Sequence, residues 1–219
     1  MNTKRKDIPI EDQLAAAELA LDCALNDPEI LAALAEYNYD EARLQIGQLL
    51  YQAAFDAQRQ QQERYSDQFA ATAAFNESFE RARKAFNQVR QLARLAAQAN
   101  PDLPFEKLQL SGRSEQGFGA WLVQARIFYE AALGDPVIQI RLADYGVTQL
   151  KIQAGLEATN MVEALNVDQE HKKGGAQAAT KARDMTLAEL NQWMKAFRQV
   201  AAIALEDKPE KLEALGFSS

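Results

Sequence analysis

The sequence predicts an all-α fold, an internally duplicated antiparallel helical bundle, on three observations. The first is a repeat: residues 20–101 lie over 128–209 at a constant offset of 108 with no gap, which marks two copies of one unit. Asp27-Pro28, Leu34-Ala35, Tyr37, Gln45 and Gly47 fall on Asp135-Pro136, Leu142-Ala143, Tyr145, Gln153 and Gly155. Ala70-Ala71-Thr72 falls on Ala178-Ala179-Thr180, and Pro101 on Pro209. The second observation is composition: alanine, leucine, glutamine, glutamate and arginine dominate, with 10 glycines and 6 prolines in 219 residues. The third is a heptad seam. Phe75, Phe79, Ala82, Phe86, Val89, Ala93 and Ala96 alternate steps of four and three, and Arg183, Leu187, Leu190, Met194, Phe197, Ala201 and Ala204 repeat the spacing. The repeat units span residues 7–110 and 111–217, and the two are expected to pack as one domain.

Each unit holds the same series of elements. A first helix covers residues 11–26 in one copy and 115–133 in the other. Both end at an Asp-Pro pair, where the aspartate caps a short second helix and proline takes its first position, at which a missing N–H costs nothing. The short helix carries Ile30 and Leu34, or Ile138 and Leu142. It stops near Asn38 or Gly146, residues that tolerate a left-handed backbone. Asp40 and Thr148 then cap a third helix. Tyr39 with Leu44, and Val147 with Ile152, occupy the positions of a hydrophobic staple. The core stripe of this helix is expected at Ala42, Ile46, Leu49, Leu50, Ala53 and Ala57, and in the second copy at Leu150, Ala154, Leu156, Ala158, Met161 and Leu165.

Polar stretches at residues 56–68 and 166–175 separate the third helix from the seam helix. A turn is expected near Ser66-Asp67 and at Gly174-Gly175, because glycine pairs break helices. This makes two long helical hairpins with short flanking helices. A single continuous helix through either stretch is the rival reading, since residues 58–64 are good helix formers. Residues 1–6 and the final serines are expected to be disordered. Asn100-Pro101 and Lys208-Pro209 close the units. A Glu-Lys-Leu motif follows each, at 106–108 and 210–212, and residues 111–119 link the units.

Composition excludes several functions. A net charge of −7 argues against a general nucleic-acid binder. No run of 18 uncharged apolar residues is present to span a membrane, and the N-terminus lacks the apolar core of a secretory signal. Cys23, the single cysteine, has no intramolecular partner and reads as a small buried filler. The location expected is cytoplasmic.

Chemistry was sought in the patterns a helical bundle favours. A carboxylate di-metal site needs Glu-x-x-His from two helices, whereas the only histidine, His171, follows Asp168 in a polar stretch and reads as a solvated side chain. Residues 111–120 hold three glycines and an arginine but no Walker lysine, and read as a connector. Arg90 and Arg198 flank the seam, where arginines cover apolar neighbours and reach a carboxylate. No catalytic, cofactor-binding or metal-binding residue is expected, and no cofactor.

The reading is therefore a non-enzymatic helical-bundle protein with a structural, scaffolding or protein-interaction role. The expected partner is a second copy, a homo-oligomer with the dimer favoured, or an unidentified protein. Phe128, Tyr129 and Tyr145, with Leu19, Leu21, Ile127 and Ile140, are expected to offer the apolar surface. The alternative is a small-molecule binder or regulatory sensor with a cavity between the repeats, lined by Phe75, Phe79, Leu187, Trp193 and Met194.

Overall fold

The computed structural model describes residues 8–217. The elements are α1 (Ile10–Asn26), α2 (Pro28–Ala35), α3 (Glu41–Ala99), a short 3₁₀ helix (Phe105–Leu108), α4 (Phe118–Gly134), α5 (Pro136–Ala143), α6 (Gln149–Ala204) and α7 (Pro209–Ala214). No strand forms among the described residues. Residues 1–7 and the last two serines lie outside the described residues, and with them the disorder expected at residues 1–6 and the final serines. Helices α4, α5 and α6 start 108 residues after α1, α2 and α3.

Local chemistry sets the helix boundaries. Asp27 Oδ1 accepts from the amides of Glu29 (2.9 Å) and Ile30 (3.3 Å), with Pro28 opening α2. Asp135 Oδ1 does the same for Val137 (3.1 Å) and Ile138 (3.3 Å) at α5. Asn38 and Gly146 take the left-handed backbone that stops the short helices, with φ of 61° and 74°. The Arg43 amide then donates to Asp40 Oδ1 (3.0 Å), and the Lys151 amide to Thr148 Oγ1 (3.4 Å). Both hydrophobic staples are buried.

The expected turns at Ser66-Asp67 and Gly174-Gly175 do not form. Helices α3 and α6 run unbroken for 59 and 56 residues, so each expected long hairpin is one long helix. In α3 the polar stretch carries its own i,i+3 and i,i+4 ion pairs, Arg59 with Asp56 (3.6 Å) and Glu63 (4.0 Å). In α6 a glycine pair costs about 2 kcal/mol relative to alanine, too little to break a helix whose flanking turns are anchored in a core.

The chain forms two compact units. The first takes the described residues up to Tyr65 together with those from Gly175 onward, and the second is Ser66–Gly174. Their boundaries fall inside α3 and α6. In the first unit Leu14, Leu21, Ile30, Leu34, Tyr39 and Leu44 pack with Leu190, Phe197, Leu205, Leu212 and Phe217. The second is built round an aromatic cluster. Trp121 stands edge-on to Phe79 (5.0 Å) and Phe86 (6.4 Å), and Phe86 meets Phe128 (5.5 Å) and Tyr129 (5.8 Å). The apolar seam residues lie buried or half-buried in the unit that holds them.

The stripe expected on the third helix is rotated from the one observed. Ile46 and Leu49 are exposed, as are Leu150 and Met161. The inward face runs through Leu44, Gly47, Tyr51 and Ala54 on α3, and through Ile152, Gly155, Thr159 and Val162 on α6. Two glycines, a tyrosine and a threonine on that face conceal it from a search for aliphatic periodicity. The expected apolar surface also changes. Leu21, Phe128 and Tyr129 are buried, Ile127 and Tyr145 are half-buried, and Leu19 and Ile140 stay exposed.

Each Glu-Lys-Leu motif returns to a cap aspartate within its own unit. Lys211 Nζ donates to Asp27 Oδ2 (2.6 Å), and Lys107 Nζ to Asp135 Oδ2 (3.2 Å). Lys211, above all, holds the Asp27 carboxyl below its ordinary value of 3.8, helped by the cap amides. The Ile138 amide first, then Lys107, does so for Asp135. A carboxylate with a depressed folded pKa contributes stability that is present above its unfolded value and lost as pH falls through the folded one.

The urea midpoint is therefore expected to hold through neutrality and fall below about pH 4, with a smaller acid loss in the D27N/D135N double variant. Fragments test the division into units. Residues 66–174 contain a whole core and are expected to melt cooperatively as a monomer with dispersed amide spectra. Residues 1–108 lack Leu190, Phe197, Leu205 and Phe217, and are expected to be molten or to aggregate.

Candidate ligand cleft and partner groove

Two aligned glycines organise both candidate sites. Within the first unit, a methyl group at Gly47 would stand 2.5 Å from the Trp193 ring and 2.7 Å from Leu21 Cδ2. Within the second, one at Gly155 would stand 2.2 Å from Tyr129 Cζ and 2.5 Å from the Tyr129 hydroxyl oxygen. Only hydrogen fits at either position. The first helix of each half is thereby seated directly on the backbone of the long helix that follows it.

On one side of this contact, in the second unit, lies a cleft of about 310 Å³ between α3 and α6. Its walls are Ala82, Ala85, Val89 and Leu92 from α3, with Val147, Ala154 and Ala158 facing them, and Tyr129 and Gly155 complete the lining. The opposing α3 and α6 segments run antiparallel, as the contact between Asp67 and Lys172 (3.2 Å) in the same unit shows. Lys151 and Gln88 also line the cleft and are exposed. Lys151 Nζ donates to the Gly146 carbonyl at 2.8 Å, which occupies one of three ammonium protons.

Tyr129 is 1 % exposed, with its ring against Gly155. Burial pushes its pKa far up, so it stays a neutral phenol with a proton to donate. Thr159, buried nearby on α6, is satisfied by the Gly155 carbonyl at 2.8 Å.

The positions 108 residues away show what fills this place in the first unit. Ala85 aligns with Trp193, Ala82 with Leu190, Val89 with Phe197, Val147 with Tyr39, Ala154 with Ile46 and Ala158 with Leu50. Each first-unit residue is the larger. The Trp193 ring lies 5.8 Å from Tyr39 and 5.2 Å from Phe197, and the Arg43 guanidinium, aligned with Lys151, sits 4.3 Å above Tyr39. Over the aligned glycines, Trp193 and Leu21 cover Gly47 in the first unit and the Tyr129 ring covers Gly155 in the second.

The relation inverts on the other side of the contact. In the first unit an open groove of about 970 Å³ runs between α1 and α3, lined by Ala15, Leu19, Leu49, Glu18, Asp22, Tyr51 and glutamines of α3. Leu19 is 50 % exposed and Leu49 70 %. Neither Glu18 nor Asp22 joins an ion pair with a described residue. Burial first, then the Glu18 carboxylate beside it, raises the Tyr51 phenol pKa. In the second unit the aligned groove between α4 and α6 is bridged. Arg126, aligned with Glu18, bonds Glu163 at 2.6 Å and Asn160 at 3.4 Å.

Other residues considered from the sequence lie elsewhere. Phe75 and Phe79 belong to the second unit and Leu187, Trp193 and Met194 to the first. His171 is exposed on α6 within the second unit, not in a turn. Cys23 is half-buried rather than buried, packed against the first core. Arg90 reaches no carboxylate. It is 3 % exposed and donates to the carbonyls of Gln109 (3.1 Å) and Ser111 (2.8 Å), while Arg94 donates to Leu110 (2.9 Å) and to Gly112. The pair clamps the linker onto α3, and burial, then the neighbouring Arg94, lowers the Arg90 pKa. Arg198 stacks on Phe217 at 4.8 Å. Among the described residues no three histidine, cysteine or acidic side chains gather as a metal site, and no helix is long and apolar enough to cross a membrane.

Comparison of the chain with models of known protein families, with curated proteins and with solved structures finds no match.

The glycines provide a paired test of the close contacts. Gly47→Ala and Gly155→Ala gain helix propensity but force a ring aside, so a net destabilisation of about 1–3 kcal/mol is expected in chemical denaturation. Gly174 and Gly175 have nothing within 4 Å of an added methyl. Alanine there is expected to stabilise α6 by about 1 kcal/mol each.

Proposed function

We propose that this is a non-enzymatic protein acting by association, and that the α1–α3 groove receives an amphipathic helix of a partner with apolar side chains and basic flanks. The observation that carries the reading is the pairing of exposed Leu19 and Leu49 with Glu18 and Asp22, acids that have no described ionic partner. Helix-in-groove recognition uses such an apolar floor with a charged rim. Charge complementarity then selects a cationic flank and speeds encounter, in keeping with the net charge of −7. A lone cysteine suits a reducing compartment such as the cytoplasm.

A homodimer is the second reading. It is favoured by exposed apolar side chains outside the groove, Ile140 and Leu150 among them, which a closed two-fold contact would cover. A light-scattering mass that climbs with concentration above one 24.4 kDa chain is the expected result, and a constant mass rejects the dimer.

The groove is tested by giving the first unit the bridge of the second. In E18R/F55E, arginine and glutamate stand where Arg126 and Glu163 stand 108 residues later. Crosslinking to a lysine-flanked amphipathic helical peptide is expected to map to α1 and α3 in the wild type and to disappear in this variant. A glutamate-flanked peptide is expected not to bind. Equal labelling of both proteins, or equal binding of both peptides, would reject the groove.

A further inference from the structure

We infer that the cleft between α3 and the linker preceding α4 is a binding site for a phosphoryl group, free or carried on a small molecule. The inference is independent of the partner groove.

The linker clamp builds the site. Arg90 and Arg94, one turn apart on α3, hold the linker by the carbonyls of Gln109, Leu110 and Ser111. Arg113 and Ser114 follow at once in the chain. The three arginines, with Ser114, Asn87 and Gln91, line a cleft of about 310 Å³. No acid is in that lining, and Glu115, next in the linker, stays outside it. None of the three arginines joins an ion pair with a described residue. Three positive charges thus meet in one small concavity of a chain whose net charge is −7.

Burial makes this arrangement incomplete as it stands. Arg90 is 3 % exposed, and its carbonyl partners accept its protons without neutralising its charge. A buried charge with no counter-ion carries a large desolvation cost. Burial first, and then the Arg94 charge, lower the Arg90 pKa, as expected of cations held together with no anion between them. The hydrogen bonding is unfinished too. Arg90 Nε and Ser114 Oγ are both buried without a partner, and both belong to residues of this one cleft. An anion here would offset the charge, and the Ser114 hydroxyl can turn its proton toward an anion oxygen.

The aligned place in the first unit has no such surplus. Arg198, aligned with Arg90, lies over the Phe217 ring at 4.8 Å, and Ala202 stands where Arg94 would be.

The free donors identify the ligand class. Arg113 is exposed and makes no hydrogen bond with a described residue, so its five N–H groups are available. Arg94 Nη1 and the amides of Asn87 and Gln91 are uncommitted as well. A carboxylate offers two oxygens in one plane and a single charge. A phosphoryl group offers three oxygens in a pyramid and close to two charges near neutral pH, so it can meet guanidinium groups from separate residues together with a hydroxyl. Arginine forks favour such bidentate contacts.

The experiment is isothermal titration calorimetry of the full chain in low-chloride buffer with inorganic phosphate, glycerol phosphate and acetate. One saturable site per chain is expected for both phosphates, with acetate at least about tenfold weaker. Whichever phosphate binds tighter identifies the source, free anion or monoester. Arg113→Gln, at a side chain with no contact to lose, is expected to weaken phosphate about tenfold, and Arg113→Glu to abolish binding. Ser114→Ala is expected to weaken it about threefold. Lys181→Gln, at an exposed cation in the first unit, is expected to keep wild-type affinity. No saturable binding of either phosphate, acetate binding as tightly as phosphate, or equal losses in Lys181→Gln and Arg113→Gln overturns the inference. Unchanged affinity in both Arg113→Gln and Ser114→Ala overturns it as well.

Discussion

The seating of α1 on α3 at Gly47, and of α4 on α6 at Gly155, is the constraint from which most of the structure follows. A ring or a branched aliphatic group in contact with a helix backbone leaves no room for a Cβ, so the side chain at each site is hydrogen. That contact sets which face of the long helix turns inward, and so which residues line the spaces to either side of it. It also places a bulky side chain from the first helix, Leu21 or Tyr129, in the angle between the two long helices of its unit. The fit excludes solvent on a helix surface that offers little aliphatic area of its own, since Gly47 and Gly155 replace what would be a leucine or isoleucine in an ordinary amphipathic stripe.

The long helices make the two cores depend on both halves of the sequence in different ways. Ser66–Gly174 is contiguous and draws Phe79 and Phe86 from one repeat and Trp121, Phe128 and Tyr129 from the other. The first unit joins the opening of the chain to its end. Leu21 and Leu44 meet Phe197 and Leu205 there, and Lys211 reaches Asp27 across 184 positions. Loop closure over such a distance has an entropic cost that grows only logarithmically with length. A rigid α-helix on each side of the intervening segment further restricts the ends that must meet.

Much of this was legible in the residues. The Asp-Pro caps, the stops at Asn38 and Gly146 and the staples at Tyr39/Leu44 and Val147/Ile152 follow from short-range chemistry, and the structure has them where the sequence predicts them. Continuity through Gly174-Gly175 was not legible, because a local breaker loses to packing anchored on either side of it. Nor was the face of α3. Counting aliphatic residues chose Ile46 and Leu49, which are exposed, and passed over Gly47, whose value lies in lacking a side chain. The signal for the cleft was present in the alignment all along: Gly47 and Gly155 are identical while Trp193 faces an alanine, Ala85. A glycine retained beside a position where bulk is exchanged for space marks where the packing of the two units differs.

The two units divide filling and opening between the same pair of spaces. On the α3–α6 side the first unit is packed with Trp193, Tyr39 and Phe197 and the second is open. On the side between the first helix and the long one, the second is bridged by Arg126 and Glu163 and the first is open. A helical unit of this size has few apolar residues to spare, so an open space on both sides of the central contact would leave its short helix held mainly by the glycine seat. Closing one side holds that helix while the other remains available. The exposed surfaces are then consequences of where each unit carries its bulk: Trp193 anchors the unit whose groove is open, and the Arg126–Glu163 bridge steadies the unit whose cleft is open. Each unit thus has a concave surface of its own chemistry, acidic and apolar in the first, lysine-rimmed and alanine-walled in the second.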